Sequence, residues 1–194
     1  MDLFSAVVTL FLVMDPLGNI PVFLSVLKAV PPERRRLVLA REIALAYVVL
    51  LVFFLIGDYI LRVLGLQQEA VSIAGGIVLF LIALRMIFPG ERPLAGDVLD
   101  GEPFLVPLAI PLIAGPSALA TLLLLQRSGA SREKLLLALT IAWMGSAILL
   151  LSSTFLYRVL RERGLIALER LMGMLLVMVA VQLLLNGLKL FLGR

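Results

Sequence analysis

The stretch Met14-Asp15-Pro16-Leu17-Gly18-Asn19-Ile20-Pro21 lies in the middle of residues 3 to 27, a run whose only charge is Asp15. Two prolines and a glycine do not suit the centre of a regular helix. Proline removes a backbone donor and clashes with the preceding turn, and glycine permits conformations that unwind or reverse the chain. The run is still apolar and long enough to cross a hydrocarbon core of about 30 Å, which takes about twenty residues. It reads as a broken membrane span with a carboxylate near its centre, where ionisable side chains are costly and usually functional. It is too long for the apolar region of a cleavable leader, and its interior acid argues further against one.

Five more apolar runs follow. Residues 43 to 57 extend through Asp58 to about Leu64, and Ala70 to Leu84 continues past Arg85 to Phe88. Residues 103 to 126, 135 to 157 and 171 to 188 carry no charge. Of the 194 residues, 62% are hydrophobic and 15% charged, with a mean hydropathy of +1.12, which excludes a soluble globule. The expected fold is an all-α polytopic membrane protein with six transmembrane helices.

The 17 Lys and Arg outnumber the 13 Asp and Glu and cluster between the apolar runs. That pattern points to anionic lipid head groups as partners and not to nucleic acid. The absence of Cys and His excludes disulfides, thiolate metal sites and Ser-His or thiol catalysis. No enzyme activity, catalytic residue, metal site or resident cofactor is expected, and without a Walker A sequence the chain has no direct ATP drive. Loops after spans one, three and five hold eleven Lys and Arg against six on the other side, which places both termini outside.

Pro89 to Pro103 is polar, rich in Gly and Pro, and divides the chain almost in half. The expected organisation is a first three-span repeat over 1–88, a linker over 89–102 and a second repeat over 103–194. Overall identity at an offset of 97 residues is at the level of chance. Yet Gly18, Gly76, Gly90 and Gly96 fall on Gly115, Gly173, Gly187 and Gly193. Because three is odd, the second copy enters from the opposite face. Inverted repeats of this kind are the usual frame of secondary transporters. The alternative is six helices with coincidental glycines.

Span four carries Ile110-Pro111-Leu112-Ile113-Ala114-Gly115-Pro116-Ser117-Ala118, a second break in the equivalent span. Pro16, Pro21, Pro111 and Pro116 are the expected helix breakers. Backbone groups freed in lipid must be buried in protein or line a polar cavity, so both breaks are expected to line one central site. Asn19 or Ser117 is placed to cap the half-helix that follows, with Pro21 or Pro116 near its first turn. Helix N-termini would suit an anion such as a carboxylate, and unwound carbonyls a cation or ammonium.

The expected substrate-binding residues are Asp15, Gly18, Asn19, Gly115, Ser117, Thr121 and Gln182. The five with polar side chains have plainer alternatives. Asp15 and Asn19 suit caps, and the hydroxyls of Ser117 and Thr121 suit bonds within their own helix. Gln182 shares a face with Asn186 and suits packing between helices. Arg85 suits snorkelling and Asp58 with Arg62 an interfacial salt bridge. Gly75, Gly76, Gly173 and the Ala138, Ala142, Ser146 stripe suit close helix approach.

These motifs together resemble the MarC family of bacterial and archaeal membrane proteins, which includes the neutral amino acid transporters called SnatA. The resemblance spans essentially the whole chain. It rests on Asp15 to Pro21, on Ala74-Gly75-Gly76-Ile77, on Pro111 to Pro116, on Leu171-Met172-Gly173 and on Gln182 to Gly187. It implies a carrier of small neutral amino acids such as glycine or alanine in the cytoplasmic (inner) membrane of a prokaryote, coupled to a proton or sodium gradient. The competing readings are a channel or passive exporter of small solutes, an intramembrane enzyme and an accessory membrane subunit. A homo-oligomer is compatible with each.

Overall fold

The computed structural model describes residues 2–27, 30–88, 104–105, 108–127 and 131–193. The expected linker 89–102, with Gly90 and Gly96, lies outside the described residues. So do the side chains of Asp58 and Pro111.

Asp2 opens the first helix by accepting a hydrogen bond from the Ser5 amide at 3.2 Å. Bonding from Ser5, through its side chain first and its amide second, holds the exposed Asp2 carboxyl below the usual carboxylate range. Helix α1 (Leu3–Met14) is followed, after the single residue Asp15, by α2 (Pro16–Leu27). Then come α3 (Arg35–Val63), α4 (Gln68–Ile87), a short π-helical segment (Leu108–Ile113), α5 (Pro116–Arg127), α6 (Arg132–Leu151) and α7 (Ser153–Leu192).

Five stretches are long and apolar enough to cross a membrane: Leu3–Leu24, Arg35–Gly57, Glu69–Ile87, Arg132–Leu151 and Arg163–Leu192. The expected fourth span is represented by the π-helical segment and the shorter apolar helix Pro116–Gln126. Ile110 is extended there (φ −124, ψ 128), which interrupts the helical ladder.

Two boundaries differ from expectation. The fifth span stops at Leu151 instead of reaching residue 157, and a new helix starts at Ser153. Ser152, Ser153 and Thr154 are residues whose side chains compete for backbone partners and favour such ends. The last span was expected to begin at residue 171 but is helical from Arg163, beyond a bend at the non-helical Arg161. Its charges suggested a loop. Leu165, Leu168 and Met172, at helical spacing, pack inward and extend the helix through them.

The helices α4 and α7 pack along their length. A β-carbon on Gly76 would stand 2.9 Å from Leu184 Cγ and 3.0 Å from the Ala180 carbonyl oxygen. One on Gly173 would stand 3.0 Å from Ile87 Cγ1 and 3.1 Å from the Ala83 carbonyl oxygen. The pairs 76 and 173, 83 and 180, and 87 and 184 are all 97 positions apart, so this contact recurs at the offset of the glycine pattern. Gly18 and Gly115 do not share a helix position: Gly18 is the third residue of α2, whereas Gly115 precedes α5.

The remaining packing also comes in pairs. The helix α1 lies on α6 and the π-helical segment on α3, while α2 lies on α7 and α5 on α4. Ala138, Ala142 and Ser146 of α6 are buried, as the small-residue stripe requires. Arg85 is exposed near the end of α4. Large apolar side chains such as Leu55, Tyr59, Leu81, Ile148 and Met178 cover the outside, a surface suited to lipid.

Candidate functional site

One residue makes the first break. Asp15 is left-handed (φ 43, ψ 58) and ends α1, its amide donating to the carbonyls of Phe11 and Leu12. Aspartate is among the few side chains that visit this region readily. Its Oδ1 then accepts from the Gly18 amide at 3.1 Å and caps α2. Pro16 occupies the first position of α2, where its missing N–H is no loss. Pro21, expected as a breaker, stands inside α2, which runs on through it.

Asn19 does not cap α2. Its Nδ2 donates to the Met14 carbonyl at 3.0 Å and to the Leu112 carbonyl at 3.1 Å. Those carbonyls belong to the two interrupted stretches, so this one amide ties the breaks together in the interior. The site therefore holds Asp15, Pro16, Gly18 and Asn19 against the chain that leads through Gly115 into α5.

Gly18 is required by space. A β-carbon there would meet Asp15 Oδ2 and Met86 Cε. Gly75 admits α5 to α4 in the same way, because a β-carbon on it would stand 2.6 Å from that of Ala120. Gly115 and Pro116 start α5, with the Gly115 carbonyl accepting from Leu119 N at 3.0 Å. Pro116 is exposed, whereas Ser117 and Thr121 are buried one turn apart. Thr121 Oγ1 has no hydrogen-bond partner among the described residues, so it does not form the bond within its helix that was the plainer alternative.

Gln182 stands apart from this cluster. It is exposed on α7 and its Nε2 donates to Asn186 Oδ1 at 2.9 Å. The structure places Glu169, which the sequence reading left in a loop, on a helix. Glu169 is half-buried on α7, one turn before Gly173, which packs on the C-terminal end of α4. The signal that would have found it is the spacing of Leu165, Leu168 and Met172, which carries the helical face back through the charged stretch.

Glu42 of α3 was also passed over. It is fully buried, with Oε1 accepting from Arg41 at 3.1 Å and Oε2 without a hydrogen-bond partner among the described residues. Arg41 in turn lies over the Phe104 ring. Among the described residues no group of three or more acidic side chains is arranged to hold a metal ion.

A membrane chain with this break, and with Gly75, Gly76 and Gly173 at its contacts, matches one family description from residue 1 to residue 192: MarC family integral membrane protein. The chain belongs to the MarC family. This MarC chain is 50% identical over 192 residues to the inner membrane protein YhgN of Escherichia coli (strain K12), covering 98% of each. It is 47% identical over 189 residues to a membrane protein of Buchnera aphidicola subsp. Schizaphis graminum, covering 97% of this chain and 96% of that one. A membrane protein of Methanocaldococcus jannaschii is 37% identical over 190 residues, covering 93% of this MarC chain and 83% of its own length. No solved structure matches the chain.

Proposed function

We propose that this MarC protein is a secondary transporter that moves small neutral amino acids, of the size of glycine or alanine, by alternating access across the cytoplasmic membrane, coupled to a proton or sodium gradient. The observation that carries the reading is the Asn19 amide bonded to Met14 and Leu112, which joins two helix interruptions inside a membrane-embedded chain. Irregular backbone at that depth is tolerated where it is enclosed by protein or lines a cavity. Broken helices meeting near the midplane are the usual substrate site of secondary transporters.

The reading includes six membrane crossings, with α1 and α2 forming one and the π-helical segment with α5 another. It also includes two inverted halves and both termini outside. The paired packing and the reciprocal contacts of Gly76 and Gly173 support the inverted arrangement. In a chain built this way, exchanging the conformations of the halves exchanges outward and inward access to a site at the breaks.

The test is uptake of labelled glycine and alanine by proteoliposomes under imposed proton and sodium gradients, with wild type and Asp15→Asn. Asparagine tolerates the left-handed region and can still accept from the Gly18 amide, so the variant removes charge while keeping the cap. The expected result is gradient-driven accumulation in the wild type that falls about tenfold or more in Asp15→Asn. A wild type that neither accumulates nor exchanges any small amino acid would overturn the reading.

A further inference from the structure

Arg41 and Glu42 stand in the second turn of α3, and Arg41 reaches the chain that leads to the second break. Its guanidinium carbon lies 5.2 Å from the centre of the Phe104 ring, within range of a cation–π contact. The next residue, Leu105, is left-handed (φ 64), a conformation that is costly for a bulky side chain. Its carbonyl accepts from the Ile110 amide at 2.8 Å. The strained turn therefore runs directly into the π-helical segment that carries Leu112, whose carbonyl Asn19 holds. That segment packs on α3. A different side of α3 meets α6, where Trp143 donates to the Ile43 carbonyl at 2.9 Å and the Tyr47 and Thr140 hydroxyls lie 2.8 Å apart.

Glu42 is fully buried, yet only half of its carboxylate is used. Arg41 donates through Nη2 and Nε to the same oxygen, Oε1, at 3.1 and 3.3 Å. The other oxygen, Oε2, is buried and has no hydrogen-bond partner among the described residues. A two-pronged arginine–carboxylate pair would engage both oxygens, and an enclosed carboxylate oxygen without a donor is costly. The charge of Glu42 is thus balanced while one of its acceptor positions stands open. Arg41 is 36% exposed, and a guanidinium carries five N–H donors, so it can hold an acceptor besides Glu42.

The equivalent place in the other half is built without charge. At the offset of 97, Arg41 and Glu42 correspond to Ala138 and Leu139 of α6, and Phe104 and Leu105 to Val7 and Val8 of α1. All four counterparts are apolar and lie inside regular helices that pack on each other. Apolar packing therefore suffices to seat such a segment on its helix, and the architecture does not call for a buried ion pair at the α3 end. Two opposite charges side by side, one with an open oxygen, complement a zwitterion. The guanidinium suits a carboxylate, and Glu42 Oε2 suits an ammonium.

We propose that Arg41 and Glu42 form a second, outlying site for a small zwitterionic amino acid at the α3 end of the second break, with Phe104 held over Arg41 as its cover. The ligand's carboxylate takes the guanidinium, its ammonium takes Glu42 Oε2, and the chain at Phe104 and Leu105 is released. This rests on the transporter reading only in making the site a station on the way to the central one; binding and release are properties of the folded chain alone.

Two measurements test it. The chain has no cysteine, so a single introduced thiol reports release. Ala109 of the π-helical segment is fully buried, and Ala109→Cys in the purified protein should react slowly with a small water-borne maleimide. Arg41→Ala, Glu42→Gln and Phe104→Ala should each raise that rate about tenfold by enlarging the released population, whereas Phe104→Tyr, which keeps the ring, should not. Glycine should raise the rate in the otherwise wild-type chain and with Asp15→Asn, and should add nothing in Glu42→Gln. Acetate and methylamine, which carry one charge each, should have no effect. Ala142→Cys, buried in α6, should stay slow throughout, because only a general loosening would expose it. Unchanged Ala109→Cys labelling in Arg41→Ala and Glu42→Gln, an equal rise at Ala142→Cys, or a response to acetate or methylamine equal to that to glycine would overturn the proposal.

In the second, Glu42→Gln proteoliposomes should need about tenfold more glycine for half-maximal uptake while keeping most of the maximal rate, the mark of lost binding and not of lost turnover. An unchanged half-saturation would also overturn the proposal. A wild type that accumulates glycine while its Ala109→Cys labelling ignores glycine would remove the outlying site and leave the transporter reading. A wild type that carries no amino acid but whose labelling responds to glycine, with the response lost in Glu42→Gln, would sink the transporter reading and leave the site standing.

Discussion

Asp15 performs two backbone tasks, terminating α1 in a left-handed conformation and capping α2 through Oδ1, and Asn19 completes the break by holding a carbonyl from each interrupted stretch. Removing that amide leaves two enclosed carbonyls unsatisfied, at about 1–3 kcal/mol each. Asn19→Ala should therefore lower the unfolding temperature of the purified protein markedly. Asn19→Asp should do at least as much damage, because it places a carboxylate beside the carbonyl oxygens. Equal stability of Asn19→Ala and wild type in a thermal melt would show that the tie between the breaks is incidental. The residue types of this motif were legible in the chain, including the acid directly before a proline. The role of Asn19 was not, because Leu112 lies 93 positions away and nothing in local spacing says which carbonyl a side-chain amide will find.

At the scale of the element, apolar runs located most helices, and charges misplaced their ends. The stretch from Arg158 to Arg170 looked like a loop because polar density usually marks one. In the structure Leu165, Leu168 and Met172 bury one side, and the stretch is helical except at Arg161. Glycine on α4 and α7 is used for closeness between helices. Gly76→Ala and Gly173→Ala each drive a β-carbon toward a backbone oxygen of the opposite helix, and backbone yields less easily than a side chain. Each should destabilise by about 1–3 kcal/mol, whereas Ala74→Val, on the exposed side of α4, should be close to neutral. The check is chemical or thermal unfolding in detergent. A clear loss in one glycine variant and none in the other would contradict the reciprocal contact.

For the whole molecule, the cysteine-free sequence makes topology directly measurable. Single cysteines placed at Asp2 and Gly193 should both react with a membrane-impermeant maleimide on intact cells. Labelling of only one would break the six-crossing arrangement, and labelling of both only after permeabilisation would reverse its orientation. The sequence by itself determined a membrane-embedded, all-helical chain, the place of both helix interruptions, and the family. Those properties depend on hydropathy, on the local stereochemistry of Pro, Gly and Asp, and on motif identity, all of which are written along the chain. Only the tertiary structure decided that Asn19 joins the two breaks, that Gln182 faces outward, and that Pro21 leaves α2 intact. Those outcomes depend on which helix faces meet, and packing between segments far apart in sequence sets them through space that no single segment encodes.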